Sequence, residues 1–122
     1  MSIIIEKIDV EGLAAELGAD IEDIALLFAE YLKEMDSEFS EIDSQLASFD
    51  WSKMQRTVHN IKGVSINLNL YSMNKYAEEI DLKLKSETYE GIEEDIENVK
   101  KVFKVTKQSI TEDFERLNIT LE

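Results

Sequence analysis

The stretch DIEDIALLFAEYLKEMDSEFSEIDSQLASF, residues 20 to 49, decides the fold. Its apolar residues recur at steps of mostly three and four, which is the spacing of one face of an α-helix. They are Ile21, Ile24, Leu27, Phe28, Tyr31, Leu32, Met35, Phe39, Ile42, Leu46 and Phe49. Acidic residues fill the opposite side, and Asp20 is a suitable N-cap. The stretch therefore predicts one amphipathic helix of about eight turns.

A short helix precedes this stretch, and another amphipathic helix follows it. Asp9 and Gly18 are a suitable N-cap and C-cap for the short helix. Asp50 is predicted to cap the helix that follows the long one. The core face of that helix consists of Trp51, Met54, Val58, Ile61, Ser65 and Leu68. Asn69 can adopt the left-handed conformation that ends a helix.

Two further helical patterns complete the chain. Ser72 is predicted to cap a helix that continues to about Lys85. Thr88 is a possible cap for the last helix, which runs from about Tyr89 toward Leu117. Because short connections join four sizeable helices, neighbouring helices should run antiparallel. We therefore predict an all-α protein, an antiparallel up-down four-helix bundle with a short additional N-terminal helix.

The composition favours one helical domain over residues 1–122 and limits its partners. The chain has no proline and only four glycines, so little interrupts its helices. The net charge of −14 disfavours nucleic acid and anionic membranes, although an acidic surface often serves solubility alone. The absence of cysteine excludes disulfides and Cys-ligated metal. The start, MSIIIEKIDV, lacks the features of a signal peptide, so we expect a cytoplasmic protein.

The only histidine of the chain, His59, falls outside the core face of its helix. At about 100° per residue, it lies roughly 130° from the centre of the apolar cluster. Gln55, Lys62, Gly63 and Ile66 fall on the same outer stripe. We therefore expect His59 to face solvent or a partner.

Lys62 and Gly63 give this exposed histidine a specific setting. Residues three and four positions apart are neighbours on a helix surface, so Lys62 brings a cation near the imidazole. Glycine inside a helix costs about 1 kcal/mol against alanine, but a larger side chain at position 63 would lean over the ring of His59. Glycine leaves the ring accessible to another molecule. This arrangement suits a phosphoryl group on Nε2 of His59, whose charge Lys62 could offset.

The segment HNIKGVSINLNL, residues 59 to 70, resembles the histidine phosphotransfer (HPt) domain family of two-component phosphorelays. The family pattern is His-x-x-Lys-Gly followed by small residues. His59 matches the phosphorylated histidine, while Lys62 and Gly63 match the lysine and glycine of the family. Ser65 matches a position that is usually small.

The resemblance implies a phosphorelay intermediate that forms a four-helix bundle. It implies that His59 accepts a phosphoryl group from a receiver-domain aspartate or a histidine kinase and passes it to another receiver domain. No cofactor of its own is implied, since the magnesium ion belongs to the partner, and we expect a monomer. Val64 is bulkier than is common in the family, and Asn69 replaces the usual glycine at the end of the helix.

Other functions are weighed against phosphotransfer. A lone exposed histidine most often has no function. A carboxylate-bridged metal bundle would need Glu-x-x-His pairs that face inward; no carboxylate of the same helix lies within reach of His59, so we expect no metal. A helical bundle that binds partners without being phosphorylated is the main alternative, with Gln55 and Ile66 at the contact. No nucleotide-binding motif is present, which indicates a phosphocarrier without its own ATP site.

Overall fold

The computed structural model describes residues 8–121, in which five α-helices and no β-strand occur. The helices are α1 (Val10–Leu17), α2 (Ile21–Ala47), α3 (Trp51–Asn67), α4 (Tyr71–Lys85) and α5 (Ile92–Arg116). The all-α prediction is therefore confirmed. The sequence analysis found no signal peptide in the start, MSIIIEKIDV. The first seven residues of this segment lie outside the described residues. No helix within the described range is both long and apolar enough to cross a membrane.

The four long helices surround one apolar core. Helix α2 contacts α3 and α5, α4 contacts the same two helices, and α1 packs against α2. Phe28 of α2 and Phe114 of α5 are almost fully buried and meet edge to face, with 5.5 Å between ring centroids. Burial of each such ring stabilises the fold by roughly 2 kcal/mol. The stripes predicted from the spacing are thus the faces that hold the helices together.

Side-chain hydrogen bonds between described residues join α2 to α3. Their residue numbers rise along α2 as they fall along α3: Tyr31–Ser65, Glu38–Asn60 and Gln45–Thr57. Helices α2 and α3 are therefore antiparallel. The up-down order of the whole bundle stays a prediction.

Three helix ends follow from predicted capping residues. Asp9 and Asp50 each accept a hydrogen bond from a backbone N–H in the first turn of their helices, at 2.9 and 3.2 Å. Gly18 ends α1 in the left-handed conformation, with φ of 63°. Asp20 occupies the N-cap position of α2, but its side chain makes no capping hydrogen bond.

The predicted cap at Ser72 is wrong, because α4 begins one residue earlier, at Tyr71. The N-cap is Leu70, whose side chain is buried and whose N–H donates to the carbonyl of Ser65 at 2.9 Å. Burial of Leu70 and closure of α3 therefore place the start of α4, and Ser72 lies buried inside the helix.

The predicted cap at Thr88 is also wrong. Helix α5 begins at Ile92, and its N-cap is Gly91, with φ of 74°. Tyr89 lies before the helix, and its ring stacks on Trp51, with 4.4 Å between centroids. The left-handed conformation of Gly91 separates Tyr89 from α5.

Two members of the stripe that begins at Ile21 lie outside the core. Leu27 is 43% exposed and Phe49 is 69% exposed. Phe49 lies beyond the end of α2, in the left-handed region with φ of 55°. Trp51, expected in the core, is only half-buried.

Candidate functional site

His59 stands on the outer face of α3, as predicted. Its side chain is 68% exposed, whereas the neighbouring Val58 and Ile61 are buried in the core. Asp50 fixes where α3 begins, and the helical repeat then turns position 59 away from the core. The imidazole is thus open to an incoming molecule.

Gly63 has open space around it. A Cβ atom built at this position would meet no atom within 4 Å, with the helix's own nearby backbone left aside. The packing of the chain itself therefore gives no reason for glycine at position 63. The remaining physical reason is access from outside, because longer side chains at this position would lean toward the turn that carries His59.

Lys62 is held by a residue that the sequence analysis did not single out. Its side chain is 22% exposed, and Nζ donates to Oδ2 of Asp81 on α4 at 3.2 Å. The same oxygen lies 3.1 Å from Nζ of Lys85 and 3.8 Å from Nδ1 of His59. Asp81 therefore gathers two ammonium groups and the imidazole around one carboxylate.

The carboxylate of Asp81 is fully buried. Burial by itself raises the pKa of Asp81, but the hydrogen bonds and charges of Lys85 and Lys62 outweigh this effect and lower the pKa below its usual value. Asp81 is therefore ionised at neutral pH. Its other oxygen, Oδ1, is buried and has no hydrogen-bond partner in the described structure. One carboxylate and two lysines leave this cluster with one net positive charge, in a chain whose net charge is −14.

A signal for Asp81 was present in the sequence. Asp81 falls on the apolar stripe of α4, next to Ile80 and between Ala77 and Leu84, all of which are buried. A carboxylate at a core position is rarely tolerated without a partner, and Lys85 follows it at the spacing of an ion pair. No carboxylate of α3 lies within reach of His59, but Asp81 comes close to it because α4 packs against α3.

Ser65 and Asn69 support the end of α3. The hydroxyl of Ser65 is fully buried and lies 2.9 Å from the hydroxyl of Tyr31. Asn69 has φ of 58°, so the prediction that it ends the helix in the left-handed conformation is confirmed. Its side-chain amide donates to Glu16 of α1 at 3.1 Å. These contacts tie the helix of His59 to α1 and α2.

Gln55 and Ile66 lie one turn before and two turns after His59. Gln55 is half-buried, and Ile66 is 38% exposed. Beside this end of α3 lies a depression of about 370 Å³ between α2 and α3, with Leu27 and Val64 in its wall. The exposed apolar surface near Gly63 is therefore larger than Ile66 alone. A contact with a partner at Gln55 and Ile66 stays a prediction.

Residues 8–121 contain no group of three histidine, aspartate or glutamate side chains that could hold a metal ion. His59 and Asp81 are accompanied by lysines rather than by further metal ligands. The cluster combines an exposed imidazole with one buried carboxylate and two ammonium groups.

A comparison with protein families gives one match. The model of the Hpt domain matches residues 26–118, which include His59, Lys62, Gly63 and Asp81. The chain belongs to the Hpt domain family. Hpt domains serve histidine phosphotransfer in two-component signalling, and the helical structure agrees with this assignment. Searches among curated proteins and among solved structures found no match.

Proposed function

We propose that this Hpt domain is a phosphorelay intermediate whose phosphoryl group is carried on Nε2 of His59. The observation that carries the proposal is the orientation of the ring, since Nδ1 is the nitrogen nearest the buried carboxylate of Asp81. A proton on Nδ1 is favoured beside a carboxylate, and the lone pair then resides on Nε2. Nε2 then serves as the nucleophile in this proposal, on a side chain that is 68% exposed.

The transfer step exchanges one bond to phosphorus for another. The lone pair of Nε2 forms the N–P bond, and the P–O bond to an aspartyl phosphate of a receiver domain breaks. The electron pair of that bond leaves with the aspartate carboxylate. The reverse step returns the phosphoryl group to an aspartate of a second receiver domain.

The lysines offset the charge that arrives. A phosphoryl group on His59 adds negative charge, and Lys62 and Lys85 already bring one positive charge in excess of Asp81. Cations placed before reaction stabilise phosphoryl transfer because no side chain has to reorganise. The partner supplies the magnesium ion, and the Hpt domain supplies the nucleophile and these lysines.

The partner is a receiver domain, a histidine kinase, or both in sequence. The opening at Gly63 admits the backbone of another protein to the ring of His59. Ile66 and the wall of the depression at Leu27 and Val64 supply apolar contact beside it. The chain acts as a monomeric cytoplasmic carrier in this proposal and needs no cofactor of its own.

The test is transfer of radioactive phosphate from a panel of phosphorylated receiver domains and histidine kinases. The parent should acquire a label that is labile in acid and stable in alkali, whereas His59→Gln should acquire none. Glu41→Gln, at an exposed position of α2, serves as a control that keeps the histidine. Equal labelling of parent and His59→Gln would contradict the proposal. Stable binding of a receiver domain without any labelling would favour the alternative, a bundle that binds partners without being phosphorylated.

A further inference from the structure

Phe49 has a conformation that neither its backbone nor its burial favours. It follows α2 with φ of 55°, where its N–H donates to Leu46 and the N–H of Asp50 donates to Gln45. Glycine is the usual residue at this position of a helix end, because a Cβ atom there is unfavourable. Burial of the ring contributes little stability, since Phe49 is 69% exposed. The stability of the folded chain therefore does not explain a phenylalanine at position 49.

Phe49 is part of a cluster of three aromatic rings. Trp51 and Tyr89 are stacked, with 4.4 Å between centroids and an interplanar angle of 11°. Phe49 lies beside Trp51, with 6.0 Å between centroids. The three rings line a depression of about 500 Å³, and Glu93 and Glu94 line it as well. We call this depression the aromatic–acidic pocket.

The charge of the aromatic–acidic pocket is negative and is not neutralised. Glu93 and Glu94 are exposed, and neither makes an ion pair within the described residues. Two lysines near the pocket are paired with other carboxylates: Lys53 with Asp50, and Lys83, whose Nζ also donates to the carbonyl of Glu90, with Asp95. The pocket therefore offers aromatic surface and two free carboxylates to a cation.

We propose that the aromatic–acidic pocket binds an arginine side chain in a basic segment of a partner protein. A guanidinium group stacks on aromatic rings through its plane and bonds carboxylates through its edge, and a lysine ammonium cannot do both in this way. Phe49, whose side chain is 69% exposed, offers an aromatic ring to the guanidinium beside the stacked pair Trp51–Tyr89. The carboxylates of Glu93 and Glu94 complete the site.

This pocket is separate from the site at His59. Trp51 precedes His59 by two turns of α3, which corresponds to about 12 Å along the helix axis. The inference therefore does not rest on the phosphotransfer proposal, and a chain without His59 should still bind the arginine segment.

Trp51 is the only tryptophan of the chain, so its fluorescence reports on the pocket alone. The probe is a short peptide of alternating arginine and glycine, titrated at physiological salt. We expect a saturable change in the fluorescence of Trp51, a weaker one with the corresponding lysine peptide, and none with the corresponding glutamate peptide. No saturable change with the arginine peptide, or an equal change with all three peptides, would overturn the proposal.

Phe49→Gly is the decisive variant. It should weaken binding of the arginine peptide by about tenfold. It should not lower the midpoint of thermal unfolding, because glycine suits a φ of 55°. Glu87→Gly is the matched backbone control, since Glu87 also follows a helix end, with φ of 54°. Unchanged affinity in Phe49→Gly, or an equal loss in Glu87→Gly, would overturn the proposal.

The carboxylates are tested by a matched pair of double variants. Glu93→Gln with Glu94→Gln should weaken binding by about tenfold. Glu22→Gln with Asp23→Asn removes the same charge from the first turn of α2 and should leave the affinity within about twofold. An equal loss in both double variants would mean that only the net charge attracts the peptide, and the pocket would be refuted.

Discussion

Oδ2 of Asp81 lies 3.8 Å from Nδ1 of His59, across the contact between α4 and α3. The carboxylate is fully buried, and the imidazole is 68% exposed. A buried carboxylate thus lies on the Nδ1 side of the imidazole, at a distance longer than a direct hydrogen bond. The orientation of the proposed nucleophile depends on how α4 packs against α3.

The first prediction concerns the stability that Asp81 provides. Asp81→Asn should lower the free energy of unfolding by about 2 kcal/mol, because Lys62 and Lys85 lose the carboxylate that they share. Urea unfolding followed by circular dichroism measures this change. Asp36→Asn, at an exposed position of α2, should change the stability by less than about 0.5 kcal/mol. Similar losses in both variants would contradict a special role for Asp81.

The second prediction concerns pH. The pKa of Asp81 is lower in the folded chain than its ordinary value of 3.8, so the folded state binds a proton at Asp81 less readily than the unfolded state does. The stability due to Asp81 is therefore complete above the ordinary pKa and declines as the pH falls toward the folded-state pKa. The difference in unfolding free energy between the parent and Asp81→Asn should shrink below about pH 4. A difference that stayed constant or grew on acidification would refute this linkage.

The third prediction separates the two effects of Gly63. Gly63→Ala should raise the free energy of unfolding by about 1 kcal/mol, because the new methyl group meets open space and alanine favours the helix. Gly63→Gln should keep the helical circular dichroism but slow phosphoryl transfer, since its longer side chain would obstruct the ring of His59. The two variants are each other's control. If transfer to Gly63→Gln were as fast as to the parent, the access argument would fail.

The fourth prediction ranks the lysines. Lys62→Gln should slow transfer about tenfold or more, because it removes the less exposed of the two cations beside His59. Lys85→Gln should have a smaller effect, since this side chain is 49% exposed and water screens its charge. Lys53→Gln, on the same helix as His59 but paired with Asp50, should leave the rate unchanged. Single-turnover transfer kinetics measure all three, and equal rates in Lys62→Gln and Lys53→Gln would exclude charge stabilisation by Lys62.

The fold was predictable from the sequence wherever a repeated apolar spacing identifies the buried face of a helix. The apolar stripe from Ile24 to Ile42 repeats for many turns, and every one of those turns reports on the same buried face. Asp50 and Asn69 were identified correctly because capping depends on the residue itself and its nearest backbone. The outward placement of His59 followed from the same helical arithmetic.

The errors arose where distant residues decide the outcome. Ser72 and Thr88 are good capping residues, but α4 starts after the buried Leu70, and α5 starts after Gly91, with Tyr89 stacked on Trp51 before it. Asp81 reaches His59 only after α4 has packed on α3, and the spacing within one helix contains no information about that contact. The sequence shows Asp81 as a carboxylate on an apolar stripe, but it does not show that Asp81 lies beside His59.

Two of the three side chains gathered at Oδ2 of Asp81, those of His59 and Lys62, come from the motif on α3, and the third, that of Lys85, comes from α4. A transplant of residues 55–70 onto the surface of an unrelated helical protein would carry His59, Lys62 and Gly63 in their correct spacing. The imidazole would then lack its carboxylate neighbour, and the ammonium group of Lys62 would move freely in water. Anyone who engineers such a graft should move the α3–α4 hairpin, residues 51–85, as one piece, because that unit contains Asp81 and Lys85 as well.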